Sequence, residues 1–300
     1  MNRMHKMQLQ LASLLSIMLA FSGALYANNE LLAKISTPKQ VKEFKIFDAL
    51  VFKNKPDLSA YGIKEINIVY EGNLWDKSGK NKGVISEDSV IRSSIPFKDK
   101  SVEVVLDIET WDEGKGESDE KLQIKMQKYL KVLGWYKKHN KDNLIGFYGF
   151  VPRGDYWRVI KRVDNLEYQE WIADNNKHIA IANAVDVLYP SLYTFYKDQE
   201  QWKLFAKAQL LEARRLANGK PVYAFIWPQY HVSNWLLKYN YVDKAYWLAQ
   251  LELVEQYADG VVLWGGMRDE KGDNWRDDWD ENKEWWQATK EFISKRKQPR

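Results

Sequence analysis

The chain has 300 residues, no cysteine and a formal net charge of +4 at pH 7. Without cysteine there are no disulfides and no thiolate metal sites, and so small a charge gives no argument for a nucleic-acid partner. The length suffices for one large α/β barrel or two small domains. The sequence contains 14 Trp, 17 Tyr and 11 Phe, and such rings suit stacking on sugars.

The N-terminus has the order of segments found in secretory signals. Arg3, His5 and Lys6 precede an apolar run over about 9–21, and small residues follow up to Ala27. This order predicts a cleaved signal peptide at 1–27. A retained anchor is the alternative, but the run is short for a membrane span. We therefore expect a periplasmic or secreted protein without a membrane span after cleavage, with a polar lead-in at 28–43 and one catalytic domain at 44–300.

From residue 44 onward, short β-branched and aromatic runs alternate with helical patterns. The runs predict strands at 66–70, 102–109, 145–149, 184–189, 222–227 and 260–264, with 44–52 as a further one. Apolar residues at i, i+3 and i+4 predict helices at 118–139, 198–218, 243–257 and 282–295.

Strands separated by helices indicate parallel pairing. We therefore predict an α/β fold, a (β/α) TIM-like barrel with seven to eight strands. An open doubly wound sheet is the alternative, but the first clear strand lacks the glycine-rich turn of dinucleotide-binding sheets.

An acid pair follows the apolar stretch 102–106, where Asp107, Ile108 and Glu109 come in succession. Alternate strand residues face the same way, so Asp107 and Glu109 are expected on one face. Two close carboxyls in a cleft push their pKa values apart, and one of them can then donate a proton near neutrality. Solvated acids, or acids paired with Lys or Arg, are the alternative interpretation.

The predicted strand ends are also rich in rings. In a barrel the active site lies at these ends, and an acid pair among aromatic side chains is typical of a sugar-cleaving site. The aromatic candidates are Tyr70, Trp111, Tyr148, Tyr189, Tyr193, Tyr230 and Trp264. The four histidines are scattered and no G-x-S-x-G motif occurs, so we expect no metal, no cofactor and no α/β-hydrolase chemistry.

Taken together, the strand ends resemble the hyaluronidase family of glycoside hydrolases, of the bee-venom and mammalian type. Six pieces occur in the family's order, at 68–72, 107–111, 146–150, 188–193, 221–230 and 260–265. The piece at 188–193, Leu-Tyr-Pro-Ser-Leu-Tyr, matches the family's L-Y-P-S-I-Y best.

The resemblance implies a retaining mechanism in which the substrate's own N-acetyl group is the nucleophile. It implies that Glu109 protonates the leaving oxygen and then activates water, while Asp107 orients the acetamido group. An ionised Asp107 would keep the proton on Glu109. By the same resemblance, Tyr193 and Tyr230 bind the acetamido group or nearby hydroxyls, and Trp264 forms an apolar wall.

The sequence departs from the family at the acid pair. Ile108 stands where the family has Trp, Asp112 and Glu113 replace its Arg-Pro, and its disulfides are missing. Loss of the basic residue and the near-neutral charge argue against hyaluronan itself. We therefore expect an endo-acting glycosidase that cleaves a polysaccharide or oligosaccharide beside an N-acetylhexosamine.

Three other interpretations stay open. One is a non-catalytic carbohydrate-binding barrel, and another is a glycosidase for a sugar without an acetamido group. The third is an inverting enzyme, for which Glu71 or Asp186 would be the second carboxylate. Further candidates for substrate contact are Asp155, Trp157, Trp275 and Trp279.

Overall fold

The computed structural model describes residues 43–77, 83–94, 102–111 and 118–297. The predicted signal peptide, nearly all of the lead-in, and Asp112 and Glu113 lie outside these ranges. The described residues from Phe44 onward belong to one compact unit. No helix within the described ranges has the length and apolar character needed to cross a membrane.

Parallel strands form one sheet at the centre of this unit. They are β1 (Lys45–Leu50), β2 (Lys64–Tyr70), β3 (Glu103–Asp107), β4 (Ile145–Phe147), β5 (Tyr223–Ile226) and β6 (Gly260–Gly265). Their order is β4-β3-β2-β1-β6-β5, and every adjacent pair is parallel. The α/β class with parallel pairing is confirmed. The prediction of seven to eight strands is wrong, because the described residues contain six.

Helices connect the strands. The described α-helices are α1 (Glu71–Leu74), α2 (Glu87–Ser94), α3 (Asp119–His139), α4 (Tyr156–Val159), α5 (Leu166–Asn176), α6 (Ile179–Ala184), α7 (Gln199–Ala217), α8 (Lys244–Tyr257) and α9 (Glu284–Lys297). The four predicted helices are α3, α7, α8 and α9. Ser118, Asp198 and Asp243 cap the first three by accepting a hydrogen bond from a backbone N–H. Helix α7 ends where Asn218 adopts a left-handed conformation with φ of 48°.

The segment predicted as a strand at 184–189 instead begins at the end of α6 and continues as an irregular extended chain between β4 and β5. On one side Gly149 N donates to Tyr189 O at 2.9 Å, and on the other Phe225 N donates to Pro190 O at 2.9 Å. Pro190 has no N–H to continue a ladder, so the segment pairs only through single bridges. It nevertheless links the two edge strands of the sheet.

Gly146 in β4 allows this segment to approach closely. A Cβ at Gly146 would lie 2.1 Å from Val187 O and 2.9 Å from the Tyr189 ring. Only glycine fits there, because no side chain can occupy space already filled by a backbone oxygen.

Side chains of the strands alternate between two cores. The outer core joins the sheet to the helices, and the inner core fills the curve of the sheet with residues such as Phe47, Val105, Phe225 and Val262. Residues two apart on a strand share a face. The last inward-facing positions of β2, β3 and β6 are therefore Tyr70, Asp107 and Trp264, which lie together at the carboxyl ends of the strands.

Candidate active site

The two acids of the predicted pair are held in different ways. Asp107 is the last residue of β3 and lies in register with Tyr70 of β2. Glu109 lies two residues beyond the end of β3, so strand alternation does not set its direction. Both acids nevertheless line one cavity. The two acids therefore face one space, although strand alternation does not bring Glu109 there.

Glu71 holds the backbone that carries Glu109. Its Oε2 accepts hydrogen bonds from Glu109 N at 3.1 Å, Thr110 N at 3.0 Å and Thr110 Oγ1 at 2.9 Å. On the other side, Tyr129 Oη donates to Ile108 O at 2.8 Å. These four bonds fix the chain on both sides of Glu109, and bonds to a carboxylate are the stronger kind.

Asp107 is half-buried, with its Oδ1 atom fully buried, whereas Glu109 is exposed. Burial, followed by the negative charges of Glu109 and Glu71, raises the pKa of Asp107 from 3.8 to about 7. The family resemblance implies that Glu109 keeps its proton, but in the structure the raised pKa belongs to Asp107, because that carboxyl is the more desolvated one. Because the two carboxyls interact, the proton that titrates at about pH 7 belongs to the pair rather than to Asp107 alone.

The Oδ1 atom of Asp107 is buried and has no hydrogen-bond partner among the described residues. A buried acceptor without a donor costs free energy, which a ligand N–H or O–H would recover. Asp107 Oδ1 is therefore an acceptor that no described residue uses, in a residue that lines the cavity.

The cavity that holds both acids, here the acid cavity, has a volume of about 370 Å³ and an aromatic wall. The Trp264 ring stacks on Tyr193 with centroids 5.4 Å apart and meets Trp227 edge-on at 4.9 Å. Trp264 Nε1 donates to Tyr70 Oη at 3.2 Å. Rings fixed in this way give a sugar a flat apolar surface beside the carboxyls.

A buried amide connects the loops behind this wall. Gln229 Oε1 accepts from Trp227 Nε1 at 2.9 Å. Its Nε2 donates to Tyr239 O at 2.7 Å and to Arg268 O at 2.9 Å. Because Trp227, Tyr239 and Arg268 all line the acid cavity, Gln229 sets the shape of one side of it.

A second cavity of about 540 Å³, here the Trp157 cavity, adjoins the first. Glu109 and Tyr148 line both cavities, whereas Asp107 lines only the acid cavity. Tyr148, which lines both cavities, is hydrogen-bonded through Oη to Ser191 Oγ at 3.0 Å. Glu109 therefore lies where the two spaces meet.

Four of the predicted aromatic site residues lie around the acids. Tyr70, Tyr148, Tyr193 and Trp264 line the acid cavity. The structure thus brings together four of the seven aromatic candidates with both acids.

The other three candidates line neither cavity. Tyr189 is fully buried in the inner core, with its ring 5.9 Å from Phe225. Tyr230 is buried in the outer core. Trp111 packs edge-on against Tyr129 at 5.1 Å, with Lys128 over its ring. All three have packing roles in the structure.

The two alternative carboxylates are both engaged elsewhere. Glu71 holds the loop of Glu109, as described above. Asp186 accepts from Lys137 Nζ at 2.7 Å and from Ile145 N at 3.2 Å. Ile145 begins β4, so Asp186 lies at the amino end of the strands, away from the acid pair.

Of the remaining candidates, Trp157 and Trp275 line the two cavities. Asp155 instead caps α4 and binds Arg158 at 2.6 Å. Trp279 packs against Trp286 at 4.9 Å.

Several cavity residues escaped the sequence analysis as site residues. They are Trp227, His231, Tyr239, Met267 and Arg268. Trp227 stands at a predicted strand end, which is a signal that could have identified it. The others lie in loops after β5 and β6, and only the folded chain brings them to the acids. Among the described residues, no group of three or more His, Asp or Glu is arranged to hold a metal ion.

No protein-family model and no curated protein matches the chain. Its structure is similar to that of bee venom hyaluronidase, with a TM-score of 0.55 and 17% identity over 75% of this chain and 92% of that one. For bee venom hyaluronidase in complex with a hyaluronic acid tetramer, the TM-score is 0.56, with 17% identity over 75% and 91% of the two chains. The likeness shows that the chain has the barrel-type α/β fold of that protein.

Proposed function

We propose that this chain is a secreted or periplasmic, endo-acting glycoside hydrolase that cleaves a glycan beside an N-acetylhexosamine with retention of configuration. One observation carries the proposal. The buried, unpartnered Oδ1 of Asp107 and the exposed Glu109 line one aromatic-walled cavity at the carboxyl ends of parallel strands. That is where barrel enzymes place their chemistry.

In the first step the N-acetylhexosamine occupies the acid cavity. Glu109 donates its proton to the glycosidic oxygen, and the bond from that oxygen to the anomeric carbon breaks with its electron pair going to the oxygen. The carbonyl oxygen of the acetamido group bonds to the anomeric carbon and gives a cyclic oxazolinium ion. In the reactive form of the pair the proton is on Glu109 and Asp107 is ionised. Asp107 then accepts the acetamido N–H on Oδ1, and its negative charge stabilises the positive charge that develops on that group.

In the second step water enters on the face that the leaving group has vacated. Glu109, now a carboxylate, takes a proton from this water as its oxygen bonds to the anomeric carbon. The bond to the acetamido oxygen breaks, the acetamide is restored, and Glu109 is protonated again. Glu109 thus needs access to both the leaving group and water, and its place at the junction of two cavities supports this double role.

Endo action is supported by the space on both sides of Glu109. A chain cut in its interior needs room for sugars on either side of the cleaved bond. The acid cavity and the Trp157 cavity supply about 370 and 540 Å³.

The test is a screen of the wild type against chitin oligomers, peptidoglycan, hyaluronan, chondroitin and uncharged glucans, followed by Glu109→Gln on whichever glycan is cleaved. We expect Glu109→Gln to lower kcat at least about 100-fold, because it removes the proton donor and keeps the shape. Glu120→Gln, at an exposed position of α3, is the matched control and should leave kcat unchanged. Undiminished hydrolysis by Glu109→Gln would refute the assignment.

An N-acetylhexosamine thiazoline tests the nucleophile, since it mimics the cyclic intermediate of the first step. It should inhibit the wild type competitively. An active enzyme that it fails to inhibit, or one that cleaves only sugars without an acetamido group, would overturn the substrate-assisted mechanism. A protein that binds these glycans and hydrolyses none of them is a carbohydrate-binding barrel.

A further inference from the structure

The Trp157 cavity has walls made largely of rings. Trp157 meets Tyr156 at 5.3 Å and Tyr196 at 5.3 Å between centroids, and Tyr156 packs on Phe205 at 5.2 Å. Trp157 keeps 54% of its surface exposed even though its neighbours are packed. An indole that packs against two rings and still keeps more than half of its surface exposed offers a flat apolar partner a surface.

A buried hydroxyl points to a polar ligand in the same cavity. Tyr156 is only 8% exposed, and its Oη has no hydrogen-bond partner among the described residues. A buried phenol usually finds a partner. Burial, and then the charge of Asp198, raise the pKa of this phenol to about 12, so it remains a neutral donor. A ligand oxygen would satisfy it.

The charge around the cavity selects against acidic ligands. Glu109 is the only charged side chain among the described residues that line it, and the nearby Asp198 adds to the negative potential. No lysine or arginine in the described part of the chain lines this space. A carboxylate placed there would lie near the negative charge of Asp198 with no described lysine or arginine to pair with, which is costly in a site partly screened from water.

Rings, one unpartnered hydroxyl and negative charge together fit a neutral pyranose, which has an apolar face and acceptor oxygens. Because Glu109 lines both cavities and Asp107 only one, the bond to be cut lies at Glu109 and the leaving half of the glycan extends away from Asp107. We infer that the Trp157 cavity binds the sugar on the leaving-group side, and that this sugar is a neutral pyranose stacked on Trp157 and hydrogen-bonded to Tyr156.

This inference rests on the proposed function and restricts its substrates. In hyaluronan and chondroitin the sugar that leaves from an N-acetylhexosamine is a uronate. In chitin-type chains it is neutral. We therefore expect N-acetylglucosamine oligomers to be cleaved at least about tenfold better than hyaluronan or chondroitin, measured as kcat/KM.

Trp157→Ala tests the platform, with Trp235→Ala as the matched control. Trp235 is 78% exposed and lines neither cavity. Each variant is assayed on an N-acetylglucosamine tetramer and on N,N′-diacetylchitobiosyl fluoride, whose leaving group is too small to reach Trp157. We expect Trp157→Ala to lower kcat/KM about tenfold or more on the tetramer, and less than twofold on the fluoride. Tyr156→Phe should likewise lower kcat/KM more on the tetramer than on the fluoride, and Trp235→Ala should leave kcat/KM unchanged on both substrates.

The outcomes separate this inference from the proposed function. An equal loss on both substrates, no loss on the tetramer, or preferred cleavage of hyaluronan would overturn the neutral leaving-group site while glycosidase activity stood. If the wild type cleaves neither probe, the proposed function loses its support. Calorimetric titration with the N-acetylglucosamine tetramer then tests whether the Trp157 cavity binds a neutral sugar. Weaker binding by Trp157→Ala than by Trp235→Ala would support the site. Equal binding, or none to the wild type, would refute it.

Discussion

We expect Asp107 to make the protein less stable as the pH rises, and this can be measured without knowing the substrate. Its pKa is raised from 3.8 to about 7 in the folded chain. The native state therefore binds more protons than the unfolded state between these values, so this group lowers the free energy of unfolding as the pH rises. The loss begins near the unfolded pKa and is complete above the folded one. The full shift corresponds to about 4 kcal/mol.

The perturbation is Asp107→Asn, which keeps the shape and stays neutral at every pH. Urea unfolding of the wild type and the variant is compared at pH 5 and pH 8. Between these values the wild type should lose between about 2 and 3 kcal/mol relative to Asp107→Asn. Asp107→Asn should be more stable than the wild type at pH 8, because active-site residues are often selected for function at the expense of stability.

Asp186→Asn is the matched control, since Asp186 is bound to Lys137 rather than buried without a donor. It removes an ion pair and should not stabilise the protein. If the difference between wild type and Asp107→Asn is the same at pH 5 and pH 8, Asp107 is ionised in both and the reasoning is refuted. A wild type that gains on the variant as the pH rises would contradict it outright.

Three further predictions follow from the contacts around the site. Glu71→Ala removes the acceptor of three hydrogen bonds to 109–110, so kcat should fall about tenfold or more with a smaller change in KM. Glu71→Gln keeps an acceptor and should retain more activity. Equal kcat in the wild type and both variants would contradict the role of Glu71. Gly146→Ala places a Cβ 2.1 Å from Val187 O and should lower the free energy of unfolding in urea by at least about 2 kcal/mol. Gly134→Ala, in open space on α3, should instead raise it by about 0.5 to 1 kcal/mol. Equal stability of Gly146→Ala and the wild type would show that β4 tolerates a side chain there. Gln229→Leu removes the amide that joins Trp227, Tyr239 and Arg268. The affinity for the cleaved glycan, measured by calorimetric titration, should fall severalfold. An unchanged affinity would show that these loops keep their positions without Gln229.

The helices were predictable because their signals are local. Ser118, Asp198 and Asp243 act as caps within three residues of the N–H groups that they bind, and the apolar period runs through each helix. The structure of the segment 184–189 was not predictable, because a short apolar run does not distinguish a strand from the end of a helix. Its pairing is decided by Gly146, which lies about 40 residues earlier in the chain and admits it beside β4.

The acid pair was predictable in position and less so in its electrostatics. Adjacent acids at the end of an apolar run are visible in sequence, but which one is buried depends on neighbours from other strands. Glu71 illustrates the limit: it lies 38 residues from Glu109, and its function as an acceptor for that backbone emerges only from the fold. Tyr189 and Tyr193 show the same limit, since only the second reaches the cavity.

The site also divides along the chain in a way that bears on how it evolves. Asp107, Glu109 and the supporting Glu71 come from β2, β3 and their ends, within about 40 residues of sequence. The opposite side of the acid cavity comes from 225–275, more than 100 residues later. Insertions or substitutions in the loops after β5 and β6 therefore change the shape of the acid cavity while Asp107 and Glu109 keep their geometry. On the proposed function, a lineage of such proteins would exchange one glycan for another by changing these loops alone, and a designer would do the same by grafting them.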